Sequence, residues 1–310
     1  MTVHEVPLER RTLRGSFSRH YPPVLEIEPG DVVVLSTLDV RWCLSPPPAE
    51  PIYERHPEQD SGHALVGPIA VRGARVGQAL EVRIEEVRVG SYGFTASGGR
   101  STPLNDRLGL TEATEALLVW QLDAERLVGR DQHGRELDLR PFPGVLGMPP
   151  PEPGMHPTPP PRIWGGNIDC NLLLAGTTLF LPIPVDGALF SAGDGHARQG
   201  DGEVSQFAIE CPLERLELTF DVHHDLELTS PIARTADAWV TLGFDEDLDE
   251  AAALALDAML ELMGREHGLE RRDALALATA AVDLRVTQLV NVARGVHAVL
   301  RDDAIRWPTS

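Results

Sequence analysis

No helical period appears in this chain before Asp247; what precedes it is a succession of short apolar runs broken by turn residues. Runs of about four to eight β-branched and aromatic residues bounded by Gly, Pro, Asn or Asp read as strands. Most of the chain is thereby committed to β structure. VLEIEPGDVVVLSTLD (24–39) is a strand, a PGD turn and a second strand, or a hairpin. The same pattern returns at 67–90, where GARVGQ is the turn and LEVRIEEV alternates after it. In RLELTFDVHHDLEL (215–228), Leu216, Leu218, Phe220 and Val222 face one way and Glu217, Thr219 and Asp221 the other, the mark of a half-buried strand.

The segments between these units read as loops. Residues 44–62 are rich in Pro and Glu, and 90–110 (GSYGFTASGGRSTPLNDRLGL) are rich in Gly and Ser without the ending of a phosphate loop. LLVWQLD and ELDLRPFPGVLG add two strands around a DQHGRE turn. The prolines of 148–162 make a stiff arm that cannot join a central ladder and suits a surface or a neighbouring subunit. Helices are expected only over 247–268, with acids in the first turn and Gly268 beyond the end, and over 271–291, fading near VTQLVN.

Function concentrates in Trp164 to Glu210. Within it, Ser191 to Glu203 sets Asp194, His196, Asp201 and Glu203 among glycines with no bulky apolar residue, and reads as a loop between two strand patterns. Carboxylates and an imidazole on such a segment are a usual means of holding a divalent cation. The plain alternative is a flexible acidic linker, which the flanking strands argue against. Asp39 and His63 each stand at a strand end, where turn or cap residues are common, and are weaker candidates. His223 and His224 are adjacent on a strand, so at most one could serve any one site.

A net charge of −20 repels phosphate backbones, and the basic stretch 285–301 is diluted with apolar residues; no nucleic-acid partner is expected. Three sparse cysteines, none in a CxxC pair, imply neither a disulfide framework nor a zinc ribbon, and point to a reducing compartment. With neither a signal-peptide core nor a membrane-length apolar run, a cytoplasmic protein with no membrane partner is expected.

The block GGNIDCNLLLAGTTLFLPIPVDGALFSAGDGHARQGDGEV resembles the central block of the acetamidase/formamidase family of metal-dependent amidohydrolases. The opening PPVLEIEPGDVVVLSTLD, then HALVGPIAVRGARVGQALEVRI, PFPGVLGMPP and VDLRVTQLVNVARGVHAVL, resemble its other blocks in the same order. The resemblance implies a mostly β fold, with a β-sandwich-like body (1–230) carrying the metal site and a smaller α/β portion (231–310). It further implies hydrolysis of a short linear amide to a carboxylate and ammonia, with Zn²⁺ or another divalent cation in the pocket. By motif position the ligands would be Asp169, Asp194, His196 and Glu203, with His63 and Asp39 as outlying candidates. The segment after Asp39, VRWCLSPPPAEPIYERHPEQD, departs from the family's small-residue, Gln-containing run and leaves room for a longer or bulkier amide.

Amide hydrolysis needs a nucleophile, an electrophile on the carbonyl oxygen and a proton for the leaving amine. His196 with Asp169 and Asp194 would hold the cation, leaving Glu203 as general acid/base, since it lies a glycine turn past His196. Cys170 offers a rival, nucleophilic chemistry, but on an alternating strand it points away from the face of Asp169 and reads as a buried, inert thiol. A non-catalytic metal-containing β-sandwich binding module is the alternative function. The abundance of acids leaves room for an additional Ca²⁺. The proline arm and the Ala-rich helix face are surfaces that a second subunit would cover, so a homo-oligomer is expected.

Overall fold

The computed structural model describes residues 1–306. Its frame is two large sheets packed on one apolar core. The first sheet runs, in spatial order, Val3–Val6, Val32–Leu35, Leu213–His223, Ala79–Val89, Thr178–Pro182, Ile232–Arg234, Ala238–Asp245, Arg294–Arg301 and Val282–Gln288. The second has the main path Glu136–Asp138, Val128–Asp131, Ala116–Asp123, Tyr92–Ser97, Glu210–Cys211, Phe190–His196, Phe142–Gly147 and Gly165–Asn167, with Leu65–Val71 and two short strands joined at its side. Val33, Leu80, Val82, Leu179 and Leu216 of the first sheet and Val66, Ile69, Leu146, Phe190 and Ala192 of the second belong to the same buried cluster. The chain is mostly β, as the run pattern requires.

The two units at 24–39 and 67–90 do the same job. Leu25–Ile27 and Leu65–Val71 pair in parallel in the second sheet, while Val32–Leu35 and Ala79–Val89 flank Leu213–His223 in the first. Each turn therefore carries the chain across the sandwich, and neither unit is a hairpin. The proline arm pairs through His156–Pro157 with Ser16–Phe17, and its Arg162 bridges Gly165. Residues 44–62 form no strand or helix.

Leu248–His267 is a helix whose Asp247 side chain accepts from the amides of Asp249 and Glu250, and whose Gly268 closes the end at φ +66°. With Arg271–Ala281 it covers Val296, Ala298 and Leu300 of the first sheet in a second apolar cluster. The sheet is continuous from the body into this part, because Thr178–Pro182 pairs with Ile232–Arg234. No helix among the described residues is long and apolar enough to cross a membrane.

Three expectations need correction. The helix expected over 271–291 stops at Ala281, and Val282–Gln288 is a strand. Its β-branched VDLRVT alternates, and pairing with Arg294–Arg301 outweighs the helical run before it. The expected loop at 90–110 contains the strand Tyr92–Ser97 and the helix Pro103–Leu108, capped by Thr102. The segment at 191–203 is not a loop as far as His196. Phe190–His196 is a fully buried strand, with Phe142–Gly147 on one edge and Leu65–Val71 and Glu210–Cys211 sharing the other. Its glycines permit close approach rather than flexibility: a Cβ on Gly195 would lie 2.6 Å from Leu213 Cγ.

Candidate metal and catalytic centre

The buried strand Phe190–His196 delivers Asp194 and His196 to one spot inside the second sheet. Asp169 arrives from the turn after Gly165–Asn167, with its amide donating to the Gly144 carbonyl at 3.2 Å. Glu203 comes from the turn beyond the strand, and Glu210 from the two-residue strand beside His196. The space they share exists because Gly144 has no side chain. A Cβ there would lie 2.6 Å from His196 Cε1, 2.8 Å from Asp194 Oδ2 and 2.9 Å from Asp169 Oδ1.

Three of the acids hold left-handed backbone: Asp169 at φ +52°, Asp194 at +60° and Glu203 at +44°. Such φ values are uncommon outside glycine, and most of all for a residue without the short side chain of Asp or Asn. The fold imposes them. Gln199 Nε2 donates to the Asp169 carbonyl (2.7 Å), and Asn291 Nδ2 donates to Asp169 Oδ2 (3.2 Å).

Two overlapping groups that could hold a metal ion result, Asp169–His196–Glu203 and Asp194–His196–Glu210, each with its donor atoms within 4.8 Å of one another. His196 Nε2 stands 3.3 Å from Asp194 Oδ2 and 3.5 Å from Glu210 Oε2. Ligand atoms on one tetrahedral cation with bonds of about 2.1 Å lie about 3.4 Å apart. Asp169 Oδ1, Asp194 Oδ1, both ring nitrogens of His196, Glu203 Oε2 and Glu210 Oε2 are buried without a hydrogen-bond partner. Polar atoms buried like this are expensive unless something satisfies them. The donor set, one imidazole with carboxylates, fits Zn²⁺ or a similar ion.

Electrostatics agree with an excess of negative charge. Burial raises Asp169 to about 8 and Glu210 to about 7, and pushes Glu203 well above the carboxylate range, with the neighbouring acids adding to each. Asp194 goes the other way: burial would raise it, but His63 and His196 hold it down at about 2. Burial also opposes charge on His196, yet Glu210 and Asp194 outweigh it and raise its pKa well above the usual value. His63 stands at the rim. Its Nδ1 is paired with Thr158 Oγ1 at 2.6 Å, its Nε2 lies 3.8 Å from Asp194 Oδ2, and burial lowers its pKa.

The structure thus brings Asp169, Asp194, His196 and Glu203 together, with His63 beside them. Asp39 is not among them. It is buried, but its carboxylate is taken up by Arg41, the amides of Arg41 and Cys43, and the Tyr92 hydroxyl at 2.9 Å. Asp201 binds Asn171 Nδ2 at the surface, and His223 and His224 pair with Glu81 and Gln78. Cys170 is fully buried, and burial pushes its thiol up to about 12, far from a nucleophile's range. Sequence reasoning missed Glu210, Asn291, Gln199 and Gly144. The one available signal for Glu210 was a lone acid in the apolar run AIEC; Asn291 was hidden inside the supposed helix. From the segment after Asp39, Trp42 Nε1 donates to the Gly62 carbonyl at 2.9 Å, next in the chain to His63.

The sequence model of the family described as Acetamidase/Formamidase matches residues 7–157 and 152–301. Over 69 residues the chain is 41% identical to the acetamidase of Mycolicibacterium smegmatis, a stretch that is 22% of this chain and only 16% of that relative. Two solved structures are similar over nearly their whole length. A predicted acetamidase/formamidase from Thermoanaerobacter tengcongensis is 25% identical with a TM-score of 0.83, covering 97% of this chain and 95% of that one. An acetamidase from Bacillus halodurans is 26% identical with a TM-score of 0.84, covering 96% and 97%.

Proposed function

The chain belongs to the acetamidase/formamidase family, and from that premise we propose that it hydrolyses the C–N bond of a linear amide to a carboxylate and ammonia in a metal-dependent reaction. The observation that carries this reading is the set of buried, partnerless carboxylate and imidazole atoms around His196. Asp194, His196 and Glu210 would hold the cation, with Asp169 at its side. A divalent ion so held supplies a Lewis acid for the amide carbonyl and an activated water at neutral pH.

The chain's own groups do the rest. Glu203, with its raised proton affinity, takes the proton from the attacking water and returns it to the amide nitrogen as the C–N bond breaks. Asp169 faces Glu203, and its charge adds to the burial that raises the proton affinity of Glu203. Asn291 and Gln199 fix the position of Asp169. Thr158 fixes the ring of His63, and His63 and His196 together hold down the proton affinity of Asp194.

The test is ammonia release from a panel running from formamide to bulkier acyl amides, using untreated, chelated and Zn²⁺-restored protein. Activity should vanish on chelation and return with the ion. Activity indifferent to chelation would sink the metal-dependent reading. A full complement of bound metal with no turnover on any amide would favour a binding module instead.

A further inference from the structure

Arg41 is locked in place near the acid cluster with donors left over. Its Nη2 donates to Asp39 Oδ2 at 2.8 Å and to the Ser45 carbonyl at 3.3 Å. Asp39 is itself fixed, since the amides of Arg41 and Cys43 and the Tyr92 hydroxyl also donate to it. The guanidinium carbon of Arg41 lies 4.2 Å from the centroid of the Phe94 ring, within the range of a cation–π contact. That leaves Nε, which is buried without a hydrogen-bond partner, and Nη1, which makes no hydrogen bond among the described residues. An arginine pinned at one nitrogen by a buried carboxylate is a preorganised fork for a further acceptor.

Its place relative to the site follows from the strands. Phe94 stands directly across from Glu210, so its ring shares the face of Glu210, one strand spacing of about 4.8 Å away. On the other side, Trp42 Nε1 donates to the Gly62 carbonyl at 2.9 Å, and His63 follows with its Nε2 3.8 Å from Asp194 Oδ2. The segment carrying Arg41 is thus tied at one end to the strand beside Glu210 and at the other to the residue before His63. A second cation stands next to it. Phe207 meets Phe94 with ring centroids 5.9 Å apart, and the Arg100 guanidinium lies 4.9 Å from the Phe207 centroid. Arg100 has no acidic partner among the described residues. In a chain of net charge −20, two guanidiniums on two touching rings put positive charge at one side of a site otherwise built from acids.

A neutral alkyl group beside Arg41 would cover its remaining donors without satisfying them. A carboxylate offers them two acceptors and the opposite charge. We propose that Arg41 receives a carboxylate on the acyl side of the substrate, so that the amides this site prefers are monoamides of dicarboxylic acids. This rests on the amide-hydrolysis reading above. In the reaction, water adds to the amide carbon and the C–N bond breaks, giving a dicarboxylate and ammonia.

The test is ammonia release by Zn²⁺-restored protein from malonamate, succinamate and glutaramate, each compared with the neutral amide in which an isopropyl group replaces the carboxylate. For the best pair, kcat/KM should favour the carboxylated amide by at least about tenfold, the effect of a charge-assisted hydrogen bond. Arg41→Gln should bring that ratio to about one or below, whereas Arg41→Lys, which keeps the charge and loses the fork, should retain part of it. Arg100→Gln should lower it less than Arg41→Gln does. Because the ratio compares two substrates on one sample, a partly unfolded variant lowers both rates and leaves the ratio as it was. A wild-type ratio near one, or a ratio that Arg41→Gln does not move, overturns the proposal and leaves amide hydrolysis standing. No turnover of any amide, carboxylated or neutral, overturns the amide-hydrolysis reading and this proposal with it.

Discussion

Glu203 sits where two demands meet: a left-handed backbone at φ +44° and a carboxyl buried against Asp169 and His196. A glutamine fills the same volume and keeps a polar head, but cannot accept and return a proton at neutral pH. Glu203→Gln is therefore expected to lower kcat by about 10²- to 10⁴-fold while bound metal, measured by elemental analysis, stays at the wild-type level. Retention of both metal and full turnover would remove Glu203 from the mechanism. Asp39 shows the opposite lesson. It is as buried as the site acids, yet its oxygens are already occupied by the surrounding backbone amides, Arg41 and Tyr92, so it has nothing left to offer a cation.

At the scale of elements, the site depends on how closely two strands approach. Phe142–Gly147 and Phe190–His196 pair antiparallel, with Pro143 opposite Gly195 and Val145 opposite Gly193, which leaves Gly144 facing Asp194. The phenyl ring of Phe142 meets His196 edge-on at 5.0 Å and fixes its plane. A single methyl group at Gly144 would intrude among His196, Asp194 and Asp169 at 2.6–2.9 Å. Gly144→Ala should thus expel the metal and reduce kcat/KM at least about 100-fold, a misplacement effect, with far-ultraviolet circular dichroism unchanged. A variant that binds metal normally would show that the space next to Gly144 is not the ion's.

For the molecule as a whole, the buried acids make stability depend on pH and metal together. Asp169 (about 8), Glu210 (about 7) and Glu203 hold protons in the folded state that the unfolded chain releases near pH 4. Their contribution is full below that range and is lost as pH rises through the folded values. His196 acts in the same sense, being raised by its acids, so its contribution is also lost on going up. Asp194, held at about 2, contributes above pH 4 and loses its effect only as pH falls toward 2. Between pH 5.5 and 8 the metal-stripped protein should therefore lose stability, whereas a bound divalent ion replaces those protons. The Tm gap between Zn²⁺-loaded and chelated protein should widen over that interval by at least about 5 °C. A gap independent of pH would argue against an ion among these acids.

The sequence by itself determined much of this. Alternation and turn residues marked the strands at 24–39, 67–90 and 215–228, and capping signals marked the helix Leu248–His267, because these patterns are local consequences of side-chain periodicity. The central block likewise named Asp169, Asp194, His196 and Glu203, which the fold gathers. What only the tertiary structure decided are facts about partners. Whether 191–196 is loop or strand depended on edges supplied by Glu210–Cys211 and by residues more than forty positions away, since glycines read as flexible until something packs against them. Whether 282–288 continues a helix depended on Arg294–Arg301. Glu210 and Asn291 joined the site, and Asp39 left it, because a lone acid or amide carries no sign of its neighbours in its own sequence. Ligand choice is a matter of which polar atoms remain unsatisfied once the backbone has closed around them, and that is settled only in three dimensions.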